Sequence, residues 1–286
     1  RPQPKEAQEE QFAIPDYVRF IQQDTTLYRV HLLVGDQPQT DNKLAYYKLQ
    51  NIYGYHAAKL RVYQDLVEVA GINNPFVWNL LNMKYLIADR VYAESSLKPL
   101  FDGTMKVMLN SEYLPRAFFV SRYEVLEPLD ILKKLKAGDF NPREVAYLER
   151  DLAISVDPPE EAASIQVTAY EIQRLTLRVN ATGSNLLFLS EVYYPAGWNA
   201  TVDGEPTPIY KTDYAFRSIL VPQGEHTVEL TFQPTMFRIG KTASLTSNVF
   251  VLLILVVAVG VSSVRKRKQQ GGQTMKRPAD QLEQQP

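Results

Sequence analysis

The sequence predicts an α+β fold: a mixed α+β domain, then a small antiparallel β-sandwich, then one transmembrane helix near the C-terminus. Three observations predict it. Helix-like and strand-like patterns alternate through residues 12–150. Short β-rich runs separated by turn residues fill 161–235, and residues 242–264 carry no charge.

Taken in order, residues 1–11 (RPQPKEAQEEQ) are polar and charged and read as a linker. IPDYVRFIQQD predicts a short helix, with Pro15 in a permitted first-turn position and Val18 and Ile21 on one face. TTLYRVHLLV alternates and is rich in β-formers, so it predicts a strand. Over residues 54–70, His56, Leu60, Tyr63, Val67 and Ala70 recur at helical spacing, which predicts one amphipathic helix. NNPFVWNLLNM predicts a second short helix, with Asn74 as its cap and Pro75 at its first position. KYLIA, MKVMLN and RAFFVSRYEVL predict strands, and PLDILKKLKAGDF a helix closed near Gly138.

The Pro pair and acidic residues of 151–160 predict a linker between domains. Beyond it the runs SIQVTAY, RLTLRVNAT, NLLFLSEVYY, WNATV, PTPIY, AFRSILV and EHTVELTF are joined by GSN, PAG, VDGE and PQG. Asp203-Gly204 is a strong two-residue hairpin signal, and the whole region predicts a β-sandwich over 161–235.

Residues 242–264 are long enough to cross a bilayer, since about 20 apolar residues span its hydrocarbon core of roughly 30 Å. Arg265, Lys266, Arg267 and Lys268 follow directly. Such a cluster is costly to translocate and sets topology, which predicts a cytoplasmic tail and residues 1–241 outside the membrane. Residues 265–286 lack an apolar pattern and are expected to be a disordered tail. The chain does not begin with Met and shows no signal-peptide pattern, so it is expected to be a piece of a longer protein carried across by earlier membrane helices.

Composition narrows the chemistry. The chain has 286 residues, with Lys+Arg 31 against Asp+Glu 32, so it lacks the basic surplus of a nucleic-acid binder. Cysteine is absent, which removes disulfides, thiolate metal sites and cysteine nucleophiles. His31, His56 and His226 are far apart, so no metal site is expected, and no cofactor motif is visible either.

The phrases GYHAAKLRVYQDL, NNPFVWNLLNMKYLI, YLPRAFFVSRYEVL and SEVYYPAGWNATVDGEPTPIYKTDYAFRSILVPQGEHTVELTFQP resemble the C-terminal part of the YfhO-type bacterial membrane proteins. The resemblance runs in order over nearly all of residues 12–265. It implies a polytopic protein of the bacterial cytoplasmic membrane, similar to GT-C glycosyltransferases. Such proteins take a sugar from a polyprenyl-phosphate carrier and attach it to teichoic acids or related cell-envelope glycopolymers. It also implies that the catalytic acid lies in an early outer loop outside this sequence, so no catalytic residue is carried over. The implied partners are the lipid bilayer, the upstream transmembrane helices of the same protein, the polyprenyl-phosphate sugar and the envelope glycopolymer.

Two stretches remain as candidate substrate-binding sites. Tyr55, His56 and Lys59 either edge a surface helix whose apolar side is buried, or face a groove where a cation and a hydrogen-bonding imidazole receive a phosphate. Tyr193 and Trp198 either close one end of the sandwich or offer aromatic platforms to sugar rings. A membrane-anchored module that binds glycan or protein without catalysis is the competing expectation.

Overall fold

A computed structural model describes residues 13–40 and 42–273, with side chains as far as residue 265. It is a mixed α/β structure with several sheets and one long apolar C-terminal helix. Contacts divide the chain into a unit that ends at Gln233 and a second that begins at Pro234.

The first unit begins with α1 (Asp16–Ile21), which buries Val18 and Ile21 as the spacing predicts. It covers one face of a sheet whose strands are β1 (Arg29–Val34), β2 (Gln37–Pro38), β3 (Met83–Ala88), β4 (Leu97–Asp102) and β5 (Lys106–Asn110). Their spatial order is β2-β1-β3-β5-β4, and only β1 and β3 run parallel. The edge strand β4 contains Pro99 beside a register shift, the position where a strand tolerates proline, and that proline hid the strand from sequence pattern.

Two short helices, α2 (Lys43–Tyr46) and α3 (Arg61–Asp65), precede α4 (Pro75–Leu80). Residues 54–60 are not helical, contrary to the periodicity, and α3 begins only at Arg61. The reason is tertiary. The Tyr55 N–H donates to the Thr40 carbonyl at 2.9 Å, and the Asn42 amide donates to the Tyr55 carbonyl at 2.9 Å, which ties the segment to a neighbouring loop. Leu60, in extended conformation, then caps α3, which widens into a π-helical turn over Leu66–Gly71 with Leu66 and Ala70 buried.

Helix α4 follows its predicted cap. The Asn74 side chain accepts from the Phe76 N–H at 3.0 Å, with Pro75 at the first helical position. The same amide donates to the carbonyls of Leu135 and Lys136 at 3.3 and 3.1 Å, so the cap also binds the end of α5 (Pro128–Ala137). That helix buries Ile131, Leu132 and Leu135 and ends at Gly138, whose φ of 63° is left-handed.

The middle layer is a sheet in the order β6-β11-β15-β14-β8-β7, built from β6 (Ala117–Val120), β7 (Arg122–Val125), β8 (Val145–Leu148), β11 (Asn185–Leu189), β14 (Tyr210–Thr212) and β15 (Phe216–Val221). Phe118, Leu186, Phe188 and Phe216 point to one core with α5, while Phe119, Leu187, Leu189 and Ile219 point to another. Burial on both faces explains why AFFV and NLLFL are unbroken apolar runs rather than alternating ones.

The outer layer has the order β13-β12-β16-β10-β9, with β9 (Ser164–Glu171), β10 (Arg174–Ala181), β12 (Trp198–Val202), β13 (Glu205–Thr207) and β16 (Gly224–Phe232), all antiparallel. It alternates cleanly and lays Leu175, Leu177, Val179, Val228 and Leu230 on the middle sheet. Asp203 and Gly204 both have positive φ, as a two-residue hairpin requires. The sandwich therefore exists, but its second layer takes β6, β7 and β8 from before the expected 151–160 linker. That segment is itself held: the Ser184 N–H donates to Asp157 Oδ2 at 2.8 Å and the Asn185 amide to the Asp157 carbonyl at 2.9 Å.

The second unit is α6 (Thr235–Gln273). Its stretch Thr235–Arg265, 31 residues with an 18-residue window of mean hydropathy 2.4, is long and apolar enough to cross a membrane. The helix backbone continues through residues 266–268, whose side chains lie outside the described ones. Of the expected disordered tail, 265–286, the backbone is helical as far as Gln273, and the remainder lies outside the described residues.

Candidate functional site

A cleft of about 760 Å³ opens where β1, α2, the 50–60 segment and α3 meet. Tyr55, His56 and Lys59 all line it, so the structure brings the three predicted residues together, on a loop rather than a helix. Tyr55 is 63% exposed at the edge. His56 Nδ1 accepts the Ala58 N–H at 3.1 Å, which in the neutral ring leaves Nε2 carrying its proton as a donor. Leu49, Ile52, Leu60 and Val67 supply apolar wall. Tyr63 belongs to that wall; its hydroxyl bonds the Ile52 carbonyl, and burial raises its pKa to about 12.

The charged lining has one sign. Arg29, Lys48 and Lys59 line the cleft, and no Asp or Glu does so among the described residues. Arg29 is held in place rather than swinging free. Its Nη1 donates to the Leu81 carbonyl and to Ser190 Oγ, both at 3.0 Å, and Nη2 lies 3.4 Å from Glu191 Oε2.

Behind Arg29 lies a network that sequence pattern did not reveal. Arg116, 2% exposed, meets the same Glu191 at 3.3 Å and donates to Gln50 Oε1 at 2.8 Å. The Tyr170 hydroxyl donates to Glu191 at 3.2 Å, and the Arg116 guanidinium stands 5.2 Å from the Tyr170 ring centre. Arg217 donates through Nε to the Val192 carbonyl at 2.8 Å. Burial pulls Arg116 down to about 10, helped by the charge of Arg29, and burial does the same to Arg217. Two guanidiniums, of Arg29 and Arg116, thus share the one carboxylate of Glu191. The signal was present in AFRSILV and PRAFFV, where an arginine interrupts or borders an apolar strand. No spacing rule converts such an arginine into a location.

Tyr193 and Trp198 sit elsewhere, on a separate groove of about 480 Å³ with Tyr194, Asn199, Thr201 and Thr207. Trp198 is half-buried. The Arg217 guanidinium lies 4.3 Å over its ring, and the Phe232 ring is 5.4 Å away. Val192 lines the cleft and Tyr193 the groove, so consecutive residues serve the two depressions. Among the described residues no group of three or more His, Asp or Glu is arranged to hold a metal ion. Arg265 lies at the end of the candidate span.

Residues 160–244 match the family model described as bacterial membrane protein YfhO. The curated "Uncharacterized protein YfhO" of Bacillus subtilis (strain 168) is 27% identical over 118 residues, which is 40% of this chain and 13% of that protein. The chain thus matches a small fraction of its relative's length. No solved structure matches it.

Proposed function

We infer, from a chain that carries a domain of the YfhO family of bacterial membrane proteins, that it is the outer domain and last membrane helix of a polytopic glycosyltransferase-like protein. In this reading the whole protein takes a sugar from a polyprenyl-phosphate carrier and modifies a cell-envelope polysaccharide or glycopolymer. Its catalytic acid belongs to membrane segments outside these 286 residues. The outer domain holds the anionic partner. The observation that carries the reading is the cleft whose charged lining is Arg29, Lys48 and Lys59, without a carboxylate among the described residues. Lys59 attracts a phosphate as a mobile point charge, and Arg29, already oriented by Ser190 and Leu81, presents a fixed one. His56 Nε2–H donates to a phosphate or sugar oxygen, while Leu49, Ile52 and Leu60 accept an apolar portion.

The test uses the full-length protein in its own membrane. His56→Ala with Lys59→Ala, at normal expression, should lower glycan transfer at limiting carrier by about ten- to a hundredfold, the loss expected for one charge-assisted hydrogen bond of roughly 1.5–3 kcal/mol. Undiminished transfer would remove the cleft from the reaction. A second reading is an anchored module that binds without chemistry, consistent with a cleft whose described lining offers cationic and apolar groups and no general acid or base carboxylate. Retained binding of a phosphodiester polymer with no transfer by the full-length protein would select it.

A further inference from the structure

One end of the outer sheet exposes Ile172 and Tyr194 beside Trp198, which also packs against the core between the two sheets. Phe232, the last residue of β16, pairs with Trp198, and its N–H donates to the Gln173 carbonyl at 2.9 Å. The next N–H, of Gln233, donates to the Gly197 carbonyl at 2.6 Å. The β9–β10 turn, the start of β12 and the end of β16 therefore share this edge. Ile172, at the tip of the β9–β10 turn, is 97% exposed. Tyr194 is 38% exposed, its ring 6.2 Å from that of Phe232.

The chain leaves the first unit at this same edge. Only Gln233 and Pro234 separate Phe232, which ends the strand, from Thr235, which begins the helix. The candidate span of 31 residues is about 46 Å long. A bilayer with its headgroup layers measures about 40–45 Å. The helix is long enough to traverse both headgroup layers, and its first turn then stands at headgroup level.

We propose that this edge is a lipid contact: Ile172, Tyr194 and Trp198, with Tyr193 beside them, sit in the headgroup layer and fasten the folded outer unit to the membrane surface. Trp and Tyr favour that layer because the ring is apolar and the N–H or O–H is wet. Arg217 supports the assignment. It covers one face of Trp198, which a sugar would need for stacking, and fixes the indole in place. Among the described residues, none lining the groove is a carboxylate able to grip sugar hydroxyls.

The cysteine-free sequence allows a direct test. Ile172→Cys gives the full chain a single thiol on this edge, and Glu205→Cys gives one beyond the far end of β12. Each variant carries an environment-sensitive fluorophore and is reconstituted in phosphatidylglycerol nanodiscs. The label at 172 should be quenched several-fold more by nitroxide lipids than the label at 205, and several-fold less by aqueous iodide. Equal iodide quenching at the two positions would overturn the proposal. So would loss of nitroxide quenching on adding glucose or N-acetylglucosamine oligosaccharides, which would assign the edge to glycan.

Discussion

Asp213 is the residue whose environment most contradicts its chemistry. It is fully buried; its Oδ1 accepts the Tyr147 N–H at 2.7 Å, and its Oδ2 has no partner among the described residues. Burial pushes the carboxyl from its ordinary 3.8 up to about 7. The folded state therefore holds this proton more tightly than the unfolded one. Its contribution to stability is full below about pH 4 and is lost as pH rises through about 7. Asp213→Asn keeps the acceptor and tolerates the φ of 43° at that turn. Thermal unfolding followed from about pH 4 to pH 8 should show a flatter profile in the variant; an unchanged profile would mean that the carboxyl titrates normally. Glu191 presents the opposite situation, one carboxylate serving Arg29 and Arg116 at 3.4 and 3.3 Å. Glu191→Gln should cost about 3 kcal/mol, since it strands buried guanidiniums. Added inorganic phosphate should recover more stability in the variant than in the wild type, read as the shift in denaturation midpoint. Neither residue could be singled out in the sequence, because Asp213 looks like an ordinary turn residue and Glu191 like an ordinary strand end.

At the scale of elements, what was legible is what is local. Asn74-Pro75, Gly138 and Asp203-Gly204 each act within a few residues, and each stands where the pattern puts it. Gly138 carries a further constraint: a Cβ there would meet Phe76 at 3.0 Å, in addition to the left-handed φ. Gly138→Ala should destabilise the first unit by about 1–2 kcal/mol, measured by denaturant unfolding in detergent. A loss indistinguishable from zero would mean that α5 ends differently in solution. The misread segment, 54–60, has helix-compatible spacing, but its backbone is claimed by Thr40 and Asn42. The Asp213-Tyr214 turn escaped notice because both residues take positive φ without a glycine to mark it. The candidate site was half legible. Tyr55, His56 and Lys59 could be picked out as a cluster, while Arg29 and Arg116 meet at Glu191 only because segments far apart in sequence come together.

At the scale of the molecule, the density of basic residues just after the span predicts its direction. With Arg265 to Lys268 retained in the cytoplasm, Glu205→Cys in intact cells should react with a membrane-impermeant maleimide, and a fluorescent protein fused after Pro286 should fluoresce inside. The reverse pattern would invert the topology. The large-scale arrangement was the least legible part of the sequence. Pairing of Phe118 with Phe188 joins strands separated by a whole helix and four other strands, and no local pattern encodes such a partner. That pairing also bears on biogenesis. The middle sheet cannot be completed until β11, β14 and β15 have been synthesised, and β16 closes the layer above it only at Phe232. The first 150 or so residues emerge with β6 lacking its partner, an open edge that invites wrong pairing. The last strand and the apolar helix leave the ribosome almost together, so closure of the fold and insertion of the anchor become nearly simultaneous events. A stall between residues 190 and 232 would leave an unfinished sheet, and a quality-control protease would find its substrate there.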